Sequence, residues 1–200
     1  MKPLDKLLFG LIFGASFPLF FFLIALALRY FFQDVSAYYF VIPGLIAGII
    51  TDIIFLKRLV RITLDLPEWA IIVFYLFYNI CLYGMFMGFP VFNLVMGVIA
   101  GYYYGIKINH KNFTMHEIEI IKKRVSLFAG SIMVIICISS AVIALTEKTI
   151  CQELEGMLDL KFQVTMNMVI ALILIGGATL IITQYYLTKI AITLAIKINR

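Results

Sequence analysis

Six long apolar stretches constrain the fold of this chain more than any other feature. A helix that crosses a lipid bilayer needs about 20 predominantly apolar residues. The stretches that approach or exceed this length are residues 7–32, 38–56, 69–87, 91–106, 125–146 and 165–188. A β-barrel strand would show about ten residues of alternating polarity, which the continuous apolar run from Phe17 to Leu28 excludes. The sequence therefore predicts an all-α integral membrane protein, with six helices bundled in one transmembrane domain over residues 1–200.

The composition excludes a water-soluble protein. Of the 200 residues, 64% are hydrophobic and only 14% are charged, and the mean hydropathy is +1.06. Soluble domains are about half apolar and about a quarter charged, and a domain of this size buries too little surface to hide such a composition. We therefore exclude a soluble enzyme, a disordered chain, a disulfide scaffold and a nucleic-acid-binding domain. The expected surrounding is the lipid bilayer, with no nucleic acid as a partner.

Lys and Arg are distributed unevenly among the segments that connect the six stretches. If the N-terminus is cytoplasmic, 13 of the 16 fall on the inside, and only Arg29, Lys148 and Lys161 fall on the outside. The inside residues are Lys2, Lys6, Lys57, Arg58, Arg61, Lys107, Lys111, Lys122, Lys123, Arg124, Lys189, Lys197 and Arg200. Because cytoplasmic loops are enriched in Lys and Arg, the sequence predicts that both termini are cytoplasmic. We expect the cytoplasmic membrane of a bacterium or an archaeon.

Local patterns predict several turns and helix ends. Asp65, followed by Pro67 and Glu68, is typical of a helix start capped by Asp65. Residues 88–90 (Gly-Phe-Pro) predict a tight turn between the third and fourth spans. In the segment 147–164, apolar residues at helical spacing predict a short helix on the outer surface that breaks at Gly156.

A capping box predicts the start of the fifth helix. Thr114 and Glu117 have the required spacing, and a helix that begins there can continue to Thr146. Its first turns would project into the cytoplasm, where Glu119 and Lys123 are placed to form an i,i+4 ion pair.

Glycines recur four residues apart in three of the spans. Small residues at this spacing let helix backbones approach closely in lipid. Residues 44–48 (Gly-Leu-Ile-Ala-Gly) also match residues 97–101 (Gly-Val-Ile-Ala-Gly), which suggests a duplicated two-helix hairpin, with a chance match as the alternative. Three interpretations of these glycine faces fit the sequence, namely helix packing, space for a substrate and homodimerisation. The glycines concerned are Gly10, Gly14, Gly44, Gly48, Gly97, Gly101 and Gly105.

Asp52 is the only carboxylate within the six apolar stretches. An intramembrane charge is costly and marks a functional site by default. Because Asp52 shares a helical face with Gly44 and Gly48, we expect it to point at a neighbouring helix. The alternative is a carboxylate near the membrane surface that is paired with Lys57 or Arg58.

Side-chain amides and tyrosines supply the other polar groups within the spans. Asn79 lies near the middle of the third span, Asn93 near the outer end of the fourth, and Gln184 near the inner end of the sixth. Such amides either hydrogen-bond neighbouring helices or contact a ligand. Among the mid-span aromatic residues, Tyr78 is a candidate for a ligand pocket. The predicted polar site residues are Asp52, Asn79, Asn93 and Tyr78.

Motifs of catalysis and metal binding are absent from the sequence. It contains no P-loop, no Gly-x-Ser-x-Gly and no His-Glu-x-x-His. His110 and His116 lack the spacing of metal ligands, and three cysteines do not form a disulfide framework. We therefore expect no enzymatic activity, no cofactor and no metal.

Two classes of function remain. The first is a transporter or transporter subunit for a small organic molecule or ion, which is indicated by Asp52, Asn79 and the glycine faces. The second is a non-transporting accessory or interaction protein of the membrane. In either case the chain is expected to form a homo-oligomer or to bind a partner subunit in the membrane or cytoplasm. A polar cavity that reaches Asn79 or Asp52 favours the first, whereas a solid bundle with an exposed small-residue face favours the second.

Overall fold

The computed structural model describes residues 3–32, 36, 38–86, 88–111, 113–147, 149–157, 159 and 163–199. Within these residues all regular secondary structure is helical. Six helices of the described residues are long and apolar enough to cross a membrane, which agrees with the six predicted apolar helices. Four cations of the charge distribution lie outside the described residues, namely Lys2, Lys148, Lys161 and Arg200. Residue 87, the predicted end of the third span, lies outside them too.

The chain divides into two compact units, Met1–Pro67 and Glu68–Arg200, where the sequence predicts a single transmembrane domain. The first unit contains α1 (Pro3–Phe31), α2 (Tyr38–Ile62) and a 3₁₀ turn (Thr63–Asp65). The second contains α3 (Glu68–Met85), a 3₁₀ turn (Pro90–Asn93), α4 (Leu94–Lys111), α5 (Met115–Thr146), α6 (Ile150–Met157) and α7 (Met166–Asn199).

In the first unit, α1 and α2 pack backbone to backbone. A Cβ placed at Gly48 would lie 2.6 Å from the Cα of Pro18, and one at Gly44 would lie 3.0 Å from the carbonyl oxygen of Phe21. Gly48 has no room for a side chain, because the atoms in the way belong to the α1 backbone, and at Gly44 the contact is tight. The glycine face of α2 therefore packs on the helix that precedes it.

In the second unit, the glycines of α4 pack on α7. A Cβ placed at Gly101 would lie 2.6 Å from the carbonyl oxygen of Thr188 and 2.7 Å from the Cβ of Ala191. One at Gly105 would lie 2.8 Å from the carbonyl oxygen of Ile192. Small residues on both helices thus bring the two backbones into contact.

One end of the second unit is held together by an aliphatic cluster and a cross-helix hydrogen bond. Ile108 of α4, Ile118 of α5 and Ile192 of α7 belong to one buried core. Beside it, the Nδ2 of Asn109 donates a hydrogen bond of 2.9 Å to the carbonyl oxygen of Ile196. The end of α4, the start of α5 and the end of α7 therefore lie together. We call this the basic end, after its cations Lys107, Lys111, Lys122, Lys123 and Arg124.

The predicted start of α5 is confirmed. The Oγ1 of Thr114 accepts a hydrogen bond from the backbone N–H of Glu117, whose carboxylate accepts one from the N–H of Thr114. The predicted ion pair is wrong, however. Glu119 pairs with Lys122 at 2.8 Å, not with Lys123, because residues three apart are also neighbours on a helix.

Two other predicted helix ends shift. Asp65 closes the 3₁₀ turn, and α3 begins at Glu68, so Asp65 is not its N-cap as predicted. Asp65 is instead the last residue of that turn, and Leu66 and Pro67 separate it from the first residue of α3. The short helix α6 continues through Gly156 to Met157. The turn between α3 and α4 is as expected, since Gly88 has a φ of +80° and donates its N–H to the carbonyl oxygen of Tyr83.

Candidate functional site

Two of the predicted polar residues meet in the second unit. The side chain of Asn93 is fully buried, and its Nδ2 donates to the carbonyl oxygen of Asn79 at 2.9 Å and to the Oδ1 of Asn79 at 3.0 Å. The Nδ2 of Asn79 in turn donates to the carbonyl oxygen of Tyr75 at 2.8 Å. These bonds join the turn before α4 to the middle of α3.

A second cross-helix bond joins α7 to the same part of α3. The Nε2 of Gln184 donates to the hydroxyl of Tyr75 at 3.3 Å, and Gln184 is only 1% exposed. The sequence places Gln184 near the inner end of the last span. The helix α7 continues beyond that span to Asn199, so Gln184 lies near the middle of α7. Its side chain is buried in the interior of the unit.

Gly97 makes room for this amide. A Cβ placed at Gly97 would lie 2.6 Å from the Nε2 of Gln184 and 2.7 Å from the Oγ1 of Thr188. The hydroxyl of Thr188 is itself bonded, because it donates to the carbonyl oxygen of Gln184 at 2.8 Å. A glycine at position 97 therefore allows the Gln184 amide to pass between α4 and α7 towards Tyr75.

The buried polar groups leave acceptors unused. Within the described part of the chain, the Oδ1 of Asn93, the Oε1 of Gln184 and the Oγ of Ser126 are buried and have no hydrogen-bond partner. An unsatisfied buried polar group costs about 1–3 kcal/mol. Such atoms are places where a water molecule or a ligand donor binds favourably.

A cavity of about 250 Å³ lies between α3, α4 and α5. The walls are mostly aliphatic and aromatic, with three charged side chains. They comprise Glu68, Ile71, Ile72 and Tyr75 of α3, Ala100, Tyr104, Lys107 and Ile108 of α4, Phe113, and Ile121, Arg124, Val125 and Phe128 of α5. All of these residues belong to the second unit, so the cavity is built within it.

Charge is concentrated at one end of this cavity. Glu68 begins α3, and Lys107 and Arg124 belong to the basic end, so the charged side chains lie together. Lys107 is only 7% exposed, and its Nζ lies 5.7 Å from the ring centroid of Tyr103 and 5.8 Å from that of Tyr104. Both rings are within cation–π range, which stabilises a buried ammonium group.

Tyr75 forms the opposite end and joins the cavity to the polar groups beyond it. Its ring packs against that of Phe128, with centroids 5.5 Å apart, and its hydroxyl accepts the hydrogen bond from Gln184. Tyr75 lies seven positions after Glu68 in α3, which corresponds to ~10 Å along the helix axis. The cavity therefore runs from a charged end to a hydrogen-bonded tyrosine.

None of the four predicted site residues, including Asn79 and Asn93, lines the cavity. Tyr78 is half-buried beside the cluster of Tyr75, Met96 and Ala129, and it does not line the cavity. Asp52 belongs to the first unit and points at α1 as expected. There its Oδ2 lies 3.3 Å from a Cβ placed at Gly14.

The carboxylate of Asp52 has an unused acceptor. Its Oδ1 is buried and accepts no hydrogen bond from the described residues. Within the same part of the chain, neither Lys57 nor Arg58 forms an ion pair with it. The charge is therefore held against the α1 backbone rather than by a basic partner.

The sequence patterns do not identify the charged residues of the cavity. They place Glu68 at a helix start and Lys107 and Arg124 among the charges of the connecting segments. The signal that identifies them is their spacing, because each shares a helical stripe with apolar or aromatic residues. The stripes are 68–71–72–75, 100–104–107–108 and 121–124–125–128.

Comparison of the chain with protein families, with curated proteins and with solved structures found no match. The functional interpretation of the site therefore depends on its geometry.

Proposed function

We propose that this protein is a small transporter, or the membrane subunit of one, and that it binds a small organic molecule in the cavity between α3, α4 and α5. The observation that carries the proposal is the connection between this cavity and the buried amides through Tyr75. Ligand pockets are mostly apolar, with a few polar groups that fix orientation. The cavity has this composition, and unused acceptors lie beyond its far end.

In this proposal both termini and the basic end face the cytoplasm. The enrichment of Lys and Arg on the inside supports that orientation. The charged end of the cavity then faces the cytoplasm, and Asn79 and Asn93 lie beyond Tyr75, towards the outer side. The membrane is the cytoplasmic membrane of a bacterium or archaeon.

A non-transporting interaction protein is the second candidate, and one observation favours it. The last turns of α7 carry an apolar stripe, in which Ile190, Leu194 and Ile198 are each more than half exposed. This stripe lies at the end of a 34-residue helix, which at 1.5 Å per residue is ~51 Å long and exceeds a bilayer core of ~30 Å. An exposed stripe beyond the bilayer is suited to a partner subunit.

Cysteine labelling from each side of the membrane separates the two functions. Cys81, Cys137 and Cys151 are replaced by serine, and a cysteine is introduced at Ala100, which lines the cavity. Right-side-out and inside-out vesicles are then treated with a membrane-impermeant thiol reagent. Lys111→Cys, at the basic end, reports the inner side. Ile80→Cys, on an exposed part of α3, controls for labelling through lipid.

A transporter predicts that Ala100→Cys is labelled rapidly from the inner side and more slowly, but measurably, from the outer side. An interaction protein predicts labelling from the inner side only. Labelling of Ala100→Cys no faster than that of Ile80→Cys from either side would contradict the cavity as a water-accessible site. Labelling of Lys111→Cys from the outer side would overturn the orientation.

A further inference from the structure

We propose that the ligand of this cavity is a small organic anion, with its acidic group at Lys107 and Arg124 and its apolar body directed at Tyr75. This inference rests on the proposed function, since it names the substrate class of the same cavity. It goes beyond it by assigning the charge, size and direction of the bound molecule.

The residues that line the cavity indicate the charge of the ligand. Two cations and one carboxylate surround the charged end, so the lining carries a net positive charge. Lys107 is 7% exposed, and a charge removed from water attracts an anion more strongly than one at the surface. Arg124 supplies a planar guanidinium, which binds carboxylates and phosphates through two parallel hydrogen bonds. The charged end therefore favours an anion over a neutral molecule or a cation.

The size follows from the volume and length of the cavity. A volume of about 250 Å³ lies just below the ~300–1,000 Å³ of pockets for drug-sized ligands. On α4, Lys107 and Ala100 mark the two ends, seven residues apart, which is ~10 Å of helix axis. A short acid with one aromatic ring or a branched aliphatic body has these dimensions.

The direction follows from the side chains beyond the charges. Ile71, Ile72, Ile121 and Phe128 provide apolar walls, and Tyr75 closes the far end. Burial of an apolar body against these residues favours binding, because it removes apolar surface from water. A body that ends there lies beside the Tyr75 hydroxyl, which accepts the hydrogen bond from Gln184.

Three probes of one shape test the charge. They are 3-phenylpropionate, 3-phenylpropionamide and 3-phenylpropylamine, which are anionic, neutral and cationic. Each is titrated by calorimetry into the full chain in nanodiscs of phosphatidylcholine. We expect the carboxylate to bind about tenfold more tightly than the amide, as one charge-assisted contact predicts, and the amine to bind more weakly than both.

Variants then place the acidic group. Arg124 is exposed, so Arg124→Gln should fold, and it should weaken carboxylate binding about three- to tenfold while leaving the amide unchanged. Lys123→Gln removes the adjacent charge, which does not line the cavity, and should change neither. Lys107→Met should weaken the carboxylate further. If Lys107→Met does not fold, the Arg124 and Lys123 variants still decide the result.

Two sources supply such an acid, a free organic anion or the headgroup of an anionic lipid. Nanodiscs that contain phosphatidylglycerol distinguish them. Loss of probe affinity on adding this lipid assigns the site to the headgroup, whereas unchanged affinity assigns it to a free anion. Either result keeps the anionic chemistry.

Equal binding of the three probes, no binding of any, or no effect of Arg124→Gln on the carboxylate would overturn the assignment. Each of these results would contradict the anionic ligand without contradicting the transport proposal. Two-sided labelling of Ala100→Cys does not depend on the charge of any ligand, so it stands or falls independently.

Discussion

The helix pairs α1–α2 and α4–α7 use nearly the same five residues in different ways. Residues 44–48 pack α2 against the helix that precedes it, whereas residues 97–101 pack α4 against the last helix of the chain. In the first pair the glycines meet carbonyl groups and the backbone of Pro18. In the second they also meet the amide of Gln184 and the hydroxyl of Thr188.

The difference shows what a small-residue motif determines. Two glycines four apart predict that a helix backbone approaches closely, but the partner helix is selected by its own residues. On α7 the facing residues Thr188, Ala191 and Ala195 are small. The atoms nearest to a Cβ placed at the α4 glycines belong to α7, whereas those nearest to Gly44 and Gly48 belong to α1. The two glycine motifs thus pack on helices at different places in the chain, and the duplicated hairpin stays a hypothesis.

Alanine at the close contacts should have the largest effects. Gly48→Ala and Gly101→Ala each place a Cβ 2.6 Å from backbone atoms of the facing helix, and overpacking of this kind costs about 1–3 kcal/mol. Thermal unfolding in detergent measures the loss. Gly101→Ala should also weaken probe binding, because Ala100 lines the cavity, whereas Gly48→Ala should leave probe binding of the folded protein unchanged.

The matched controls should change stability in the opposite direction. A Cβ at Gly10 or Gly130 would meet no described atom within 4 Å. Gly10→Ala and Gly130→Ala should therefore stabilise their helices by up to about 1 kcal/mol through helix propensity. Equal losses in all four variants would show that the close contacts have no special role.

The two helix pairs also differ in how their polar side chains are hydrogen-bonded. Asn93 bonds across to α3, whereas Thr51 of α2 donates to the carbonyl oxygen of Ala47 in its own helix. Asn93→Ala should lower the free energy of unfolding by about 1–2 kcal/mol, since it leaves acceptors of Asn79 unpaired. Thr51→Ala should change it by less than about 0.5 kcal/mol. A larger loss for Thr51→Ala would reverse the distinction between the pairs.

A double-mutant cycle tests the path from α4 to the cavity. Gly97→Ala should displace the Gln184 amide from Tyr75 and cost about 1 kcal/mol. In a Gln184→Ala background the same substitution should cost less, because the crowded side chain is gone. We expect a coupling energy of at least about 0.5 kcal/mol. Additive effects would mean that Gly97 and Gln184 act independently.

Asp52→Asn should have the smallest effect, with the opposite sign. The Oδ1 of Asp52 accepts no hydrogen bond from the described residues. Replacing the carboxylate by an amide therefore breaks no hydrogen bond at this atom. A neutral amide costs less in lipid than a carboxylate. We expect the melting temperature to rise slightly, by an amount that corresponds to no more than about 1 kcal/mol. A clear fall would reveal a bonding partner for this carboxylate.

Sequence reasoning predicts the helices well because each depends on residues close together in the chain. The six apolar stretches and the Thr114–Glu117 capping box are local signals, and both are confirmed. The predicted ion pair failed for a local reason, because Lys122 and Lys123 compete for Glu119 on one helix face.

The cavity depends on packing between distant segments, which the sequence does not reveal. Tyr75 and Gln184 are 109 residues apart, and no local pattern predicts that they meet. Asn79 and Asn93 are predicted as polar site residues, but the sequence does not predict the hydrogen bonds between them, because they are 14 residues apart in the chain. Lys107 was interpreted as a loop charge because the predicted fourth span ended before it, whereas α4 continues to Lys111.

A crystal structure with a bromine-labelled acid shows whether the cavity holds an organic anion. The full chain is crystallised in lipid with 3-(4-bromophenyl)propionate, and anomalous scattering locates the bromine. We expect one strong peak between α3, α4 and α5 beside Tyr75, with the carboxylate at Lys107 and Arg124. A cavity filled by side chains or a lipid chain, with bromine only on the outer surface of the helices, would contradict this expectation.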